Sequence, residues 1–318
     1  MGFFIGSQFE RRSHLENIGI LKQALPYIRR YRNAIFVIKL GGELLTDSTR
    51  LDGIAGDLSL MHQLNVRIVI VHGGGPQLSE TAEKMGIESE KVNGRRITDD
   101  HMLEVAKMVF AGTISTDVLS HLRRHDCPGV GLSGVDGDLI EACRRPKRKI
   151  VDRDTGEERL VDFKNVGDIV AVNTKIIEVL LENRFVPVVA SLGADEDGQV
   201  LNINADTIAS QLAANLKAEK FFVLTNVSGV LKDIDDPKSR YSHLTVESGR
   251  ELVEERTVSG GMIPKLNAAI DAVEGGVSRA HIINGMAESA LLYEVFTRQG
   301  LGTMILDQKE ETAYLEEG

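Results

Sequence analysis

The chain has 318 residues, and its 37 lysines and arginines against 47 aspartates and glutamates leave a net charge of -10. That length suits one large domain or two lobes, and 42% hydrophobic with 26% charged residues is the composition of a folded, soluble chain, which excludes a disordered or membrane-spanning one. The acidic balance excludes broad non-specific attraction to nucleic acid or anionic membranes. Two cysteines, Cys127 and Cys143, give no disulfide framework, and with no signal-peptide pattern at the N-terminus they point to the cytoplasm.

Along the chain, residues 9–32 read first as an amphipathic helical arm, with Leu15, Ile18, Leu21, Leu25, Ile28 and Tyr31 at steps of three or four. Pro26 should kink or split it. The arm packs either on its own domain or on another subunit. Five mainly apolar runs then read as covered parallel strands: Ile35–Leu40, Val66–Val71, Val186–Ala190, Phe221–Leu224 and Ala280–Ile283. Helical patterns lie between them at Gln77–Met85, Asp99–Phe110, Thr174–Asn183, Ala205–Leu216 and Lys265–Glu274. Alternating strands and helices predict an α/β sandwich with its binding crevice beyond the carboxyl ends of the strands. Arg144–Arg159, basic and then mixed in sign, reads as a solvated hairpin or loop.

Several short patterns match familiar chemistry by letter only. Gly129–Gly134 spells G-x-G-x-x-G, but a turn follows where the dinucleotide fingerprint needs a helix. His72-Gly73-Gly74-Gly75 is like an esterase oxyanion loop, yet no G-x-S-x-G elbow completes it. His121 and His125 are four apart without the glutamate of a zinc protease, and read as a solvated helix face. The remaining glycines, lysines and aspartate suit phosphate. Lys39 precedes Gly41-Gly42, three glycines precede Pro76 at a helix start, Asp206 lies early in a helix, and Lys265 follows Gly260-Gly261. Glycine lets the backbone approach an anion, and a helix N-terminus offers unpaired N–H groups. An aspartate at a helix start is by itself usually a cap.

The segments IKLGGELL, IVIVHGGGPQ, NGRRITD, LNINADTIA and SGGMIPKLNAA, in this order, resemble those of the acetylglutamate kinases of the amino-acid kinase family, over about residues 24–305. The resemblance implies a three-layer αβα sandwich around an eight-stranded, mainly parallel sheet. It implies a helical arm over 1–33, an amino-acid-binding lobe over 34–195 and an ATP-binding lobe over 196–318. The implied reaction is phosphorylation of the side-chain carboxylate of N-acetyl-L-glutamate, the second step of arginine biosynthesis. By motif, Lys39 and Lys265 match the lysines that stabilise the transferring group, and Asp206 the aspartate that orients them. Gly42 and Gly74 match backbone donors to the phosphates. Gly74, Gly75, Arg96 and Asn202 match the substrate contacts, and Thr225, Asn226, Gly229, Leu231, Thr257 and Ser259 the nucleotide loops. Mg2+ is expected on the ATP phosphates, with no protein metal ligand assigned.

The arm and the stretch from His281 to Gly300 resemble the arginine-inhibited members, which are hexamers. There Tyr27, Lys220, His281, Glu294 and Gly300 match the positions that contact L-arginine. Asn226 stands where the nucleotide loop usually carries Asp, and Gly41-Gly42-Glu43-Leu44 differs from the Gly-Gly-Asn-Ala of many arginine-sensitive members. The alternatives are another amino-acid kinase, acting on an aminoadipate derivative, aspartate, glutamate or carbamate, and an arginine sensor without catalysis. A nicotinamide oxidoreductase, resting only on Gly129–Gly134, ranks third.

Overall fold

The computed structural model describes residues 22, 24–151, 156, 158–233, 235–297 and 299–316. Eight strands form one sheet: β1 Ile35–Leu40, β2 Arg67–His72, β3 Gly129–Ser133, β4 Val186–Ala190, β5 Lys220–Thr225, β6 His243–Thr245, β7 Arg279–Asn284 and β8 Thr303–Leu306. Their order is β6-β8-β7-β5-β1-β2-β4-β3, and every neighbouring pair is parallel except β7 with β8. All five apolar runs are strands of this sheet, with ends shifted by at most one residue. β3 absorbs the first five residues of Gly129–Gly134, which serves as an edge strand followed by a short 3-10 turn at Asp136–Asp138.

Helices cover both faces, which explains strands without polar alternation. Phe36, Ile38, Leu40, Ile70 and Phe222 face one core with helices Ser48–Gln63, Gly75–Lys84 and Ser115–Arg124. Val37, Val69, Val71 and Val223 face the other, with helices Ala205–Asn215 and Met262–Glu274. Because side chains alternate along a strand, Lys39 points to the same side as Val37. Helix Ala205–Asn215 lies on that side.

A second sheet joins Val200–Asn202, Leu192–Ala194, Ile140–Arg144 and Gly167–Val172. Two hairpins, Lys91–Val92 with Arg95–Arg96 and Arg148–Val151 with Glu158–Val161, share a small core of Val92, Val161, Phe163 and Val166. The charged segment is thus a hairpin. Its arginines are paired, Arg145 with Asp168 at 2.6 Å and Arg148 with Asp168 at 3.0 Å.

Two expectations change. The helix expected over Asp99–Phe110 is α-helical over Asp100–Lys107, then widens into a π segment, Met108–Ile114, and runs on as Ser115–Arg124. His121 and His125 do not form a solvated face. His121 is buried, with Nδ1 3.1 Å from Asp52 and Nε2 3.3 Å from Ser48, and His125 meets the same carboxylate at 3.3 Å. Asp52 on the neighbouring helix draws both inward. At the N-terminus residues 24–30 are helical through Pro26, and Tyr31 is buried edge-on against Phe36 at 5.2 Å. The end of the arm therefore packs on its own domain; residues 1–21 lie outside the described residues. Among the described residues, no helix is long and apolar enough to cross a membrane.

Candidate active site

Lys39 is the penultimate residue of β1, between Val71 of β2 and Val223 of β5 in register. Its ammonium lies 2.7 Å from Asp206 Oδ1, with both side chains 9% exposed. Asp206 is not the cap of its helix. Asn204 is, accepting the N–H groups of Asp206 and Thr207 at 2.7 and 3.3 Å, which leaves the Asp206 carboxylate for the lysine. Lys265, in the first turn of helix Met262–Glu274, donates to the Gly261 carbonyl at 2.9 Å. Burial lowers its pKa; Asp206 and Glu43 act to raise it, and Lys39 to lower it. Two ammonium groups and one carboxylate thus share one electrostatic site at the carboxyl edge of the sheet.

The glycine loops flank this site. The Gly42 carbonyl accepts Gln77 Nε2 at 2.8 Å, tying the loop after β1 to the helix after β2. A Cβ on Gly42 would stand 2.7 Å from Pro76 Cδ, so only glycine permits this approach. A Cβ on Gly74 would stand 2.1 Å from Ile114 Cδ1, inside the π segment. Gly75 opens the helix, and its carbonyl accepts Arg96 Nη2 at 3.0 Å. Arg96 also donates to Ser79 at 2.6 Å and to Ser89. Burial lowers its pKa. Asn202 Nδ2 donates to Thr98 Oγ1 at 3.0 Å, and Thr98 is two residues beyond Arg96. Buried Thr98 thus ties Asn202 to the segment that carries Arg96.

The expected nucleotide residues form two loops. Thr225 ends β5, and its hydroxyl donates to Asn226 Oδ1 at 3.3 Å. Gly229 takes a φ of 123°, and a Cβ there would stand 2.5 Å from Thr303 Oγ1. Leu231 bridges to Arg240. Thr257 and Ser259 are exposed on the loop before helix Met262–Glu274, and the Ser259 carbonyl accepts the Met262 N–H at 3.2 Å.

The profile of the amino acid kinase family matches residues 34–284. The chain belongs to the amino acid kinase family. Its sequence is 43% identical over 291 residues to the acetylglutamate kinase of Methanocaldococcus jannaschii, covering 92% of this chain and 96% of that protein. Its structure is similar to the N-acetylglutamate synthase of Neisseria gonorrhoeae complexed with coenzyme A and N-acetyl-glutamate, with TM-score 0.77 and 28% identity. The same synthase complexed with coenzyme A and L-arginine gives TM-score 0.74 and 27% identity. Both matches cover 92% of this chain but only 63% and 65% of the synthase.

This amino acid kinase carries a second buried polar cluster near the end of the arm. Lys220 Nζ lies 2.9 Å from His281 Nε2, and His281 Nδ1 lies 2.7 Å from Glu294 Oε1. A carboxylate only accepts, so Nδ1 carries the proton and Nε2 accepts from the lysine. Burial drives His281 down to about 4 and Lys220 to about 7. Burial alone would raise Glu294, but His281 and the N–H groups of Leu301 and Gly302 hold it down to about 2. Gly300 lies against the same carboxylate, and Lys220 sits 5.4 Å over the ring of Tyr31, on which Tyr27 stacks at 6.4 Å. All five residues expected to contact arginine gather here. Gln77, Thr98 and Tyr31 escape sequence reasoning as site residues, because nothing in a sequence marks a polar group that works through its neighbour.

Proposed function

We propose that this kinase transfers the γ-phosphoryl group of ATP to the side-chain carboxylate of N-acetyl-L-glutamate, an early step in arginine biosynthesis. The observation that carries the reading is the Lys39–Asp206 ion pair at 2.7 Å, with Lys265 beside it between two glycine loops. The relationship to an acetylglutamate kinase along nearly its full length supports the acceptor. A carboxylate of ordinary pKa, about 4.3, is already ionised at neutral pH and needs no general base. Its oxygen attacks the γ-phosphorus, a new P–O bond forms, the bond to the β-phosphate oxygen breaks, and ADP leaves with the electron pair. Positioning and electrostatic support therefore do most of the catalysis. Lys39 and Lys265 stabilise charge on the transferred group, Asp206 holds Lys39 in place, and the Gly42 and Gly74 amides donate to phosphate. Arg96 suits the substrate α-carboxylate, whose two oxygens a guanidinium can bind together, with Asn202 beside it.

The lobe over 34–195 would hold the amino acid and that over 196–318 the nucleotide, through Thr225, Asn226, Gly229, Leu231, Thr257 and Ser259. Among the described residues no group of three or more His, Cys, Asp or Glu side chains gathers to hold a metal. The donors present are ammonium and amide groups, which fit magnesium that arrives on the nucleotide. Bound in that way, magnesium neutralises charge on the phosphate oxygens. The free thiols, Cys127 buried and Cys143 exposed, support a cytoplasmic setting.

Arginine is the proposed inhibitor and the hexamer the proposed assembly. The cluster of Tyr27, Lys220, His281, Glu294 and Gly300 supports the first: a buried carboxylate held ionised suits a guanidinium, and Lys220 suits an α-carboxylate. Inhibition requires arginine to favour one arrangement of the assembly over another. The test measures ADP release from Mg·ATP with N-acetyl-L-glutamate, glutamate or N-acetyl-aminoadipate, each with and without L-arginine. Turnover confined to N-acetyl-L-glutamate and suppressed by arginine is expected. No turnover on any acceptor would sink the kinase reading, and inhibition that survives removal of residues 1–30 would sink the role of the arm. A solution mass near six times 34.8 kDa is expected for the intact chain.

A further inference from the structure

His72 ends β2 and is fully buried, directly before Gly73-Gly74-Gly75. Its Nδ1 lies 3.1 Å from the Gly73 carbonyl and its Nε2 lies 3.0 Å from Ser115 Oγ. A carbonyl oxygen only accepts, so Nδ1 carries the hydrogen; Nε2 is then bare and accepts the Ser115 hydroxyl. Burial holds the imidazole down to about 4, so it stays neutral at working pH. The peptide joining Gly73 to Gly74 is trans, and in a trans peptide the C=O and the following N–H point in opposite directions. A Gly73 carbonyl drawn toward the buried imidazole therefore turns the Gly74 N–H the other way, away from the core. The π segment before Ser115 also grips the loop. Ile114 and Phe110 of the π segment occupy the space where a Gly74 side chain would stand, and Ser115 directly follows that segment. π segments of this kind recur at functional sites.

We propose that His72, its tautomer held by Ser115, is the positioning residue that orients the Gly73–Gly74 peptide and aims the Gly74 N–H at the transferring phosphoryl group. The inference rests on the kinase reading, in which Gly74 supplies a donor to phosphate. A flipped peptide would present a carbonyl oxygen to an anion in place of a donor. His72 touches no substrate; it acts through the peptide.

The test compares the full chain with His72→Leu, His72→Asn and Ser115→Ala, with Mg·ATP and N-acetyl-L-glutamate. Removal of one transition-state donor typically lowers turnover about 10²–10³-fold. His72→Leu is expected to lose kcat by about 10²-fold while KM for both substrates stays within about threefold, since the lost interaction matters most in the transition state. An asparagine amide reaches the place of Nδ1–H, so His72→Asn should recover about tenfold of that loss. Ser115→Ala, which frees the other tautomer, should fall in between. A folded His72→Leu variant with kcat within about threefold of the parent would overturn the proposal, as would His72→Asn no better than His72→Leu. If the leucine variant does not fold, the imidazole 15N shifts of the parent chain decide: hydrogen on Nδ1 supports the proposal and hydrogen on Nε2 overturns it. A parent chain inert on every acceptor would fail the kinase reading, a result separate from the tautomer.

Discussion

Lys39 and Asp206 form a buried pair, so each has a structural as well as a chemical role. Removing one member leaves the other charge buried without its partner, a change that typically costs about 3–5 kcal/mol. Lys265 is placed differently, with its ammonium on the Gly261 carbonyl and no buried ion pair of its own at 4 Å or less among the described residues. The two lysines should therefore separate in a paired measurement of kcat and thermal midpoint. Lys39→Met is expected to lose about 10²–10³-fold in kcat and to melt several degrees lower. Lys265→Met should show a similar loss of kcat with a much smaller change in melting. Adding Asp206→Asn to Lys39→Met should recover part of the stability and none of the activity, because it removes the orphaned charge without restoring the donor. Equal melting of the two lysine variants would refute the assignment of the structural role to Lys39.

At the scale of elements, the π segment Met108–Ile114 decides how the Gly74 loop is backed. Deleting Gly112 should close the widened turn into regular α-helix and displace the residues that now pack from it. Ile114 would leave the space beside Gly74 and Ser115 would leave His72. We expect kcat to fall at least tenfold while far-UV circular dichroism keeps its helical signal. Gly112→Ala is the control. A Cβ there meets nothing within 4 Å, and alanine favours a helix over glycine by about 1 kcal/mol, so stability should rise slightly with activity kept. Nothing in MVFAGTI distinguishes a π segment from an α-helix, since the periodicity of so short a run fits either. The five central strands were legible because a parallel sheet covered on both faces has continuous apolar runs. β3, β6 and β8 were not, being short strands at or next to an edge, and β3 carries two glycines. Lys39, Asp206 and Lys265 were legible from the glycines and helix starts around them. The lock formed by Ser115 was not, because it depends on a contact 43 residues distant in sequence.

For the whole molecule, acid stability follows from a few buried groups acting in opposite senses. His72 and His281 titrate near 4 in the fold against an ordinary 6.5, so their contribution is fully present above 6.5 and lost as pH falls through 4. Asp57 runs the other way. Burial, with Glu288 nearby, raises it to about 6, although the backbone N–H groups of Leu291 and Leu292 favour its ionised form. Its contribution is present below 3.8 and lost as pH rises through 6. Asp57 also joins distant parts of the chain, because it lies on helix Ser48–Gln63 and faces the start of helix Ala290–Phe296, which carries Glu294. Ser289 makes no side-chain cap there, so the cap comes from another helix. Between about pH 4.5 and 6, unfolding takes up two protons at the histidines and releases one at Asp57. His62, lowered by burial, and Asp271, raised by burial, act in opposing directions. The chain should therefore lose stability on acidification with a slope of about one net proton, about 1.4 kcal/mol per pH unit. Asp57→Asn keeps an acceptor for the two N–H groups and removes the titration. It should steepen the slope toward two protons and stabilise the chain most above pH 6, where the parent carries a buried charge. Urea midpoints measured across pH 4.5–8 would read both effects, and an unchanged slope in the variant would show that Asp57 titrates as it does in the unfolded chain.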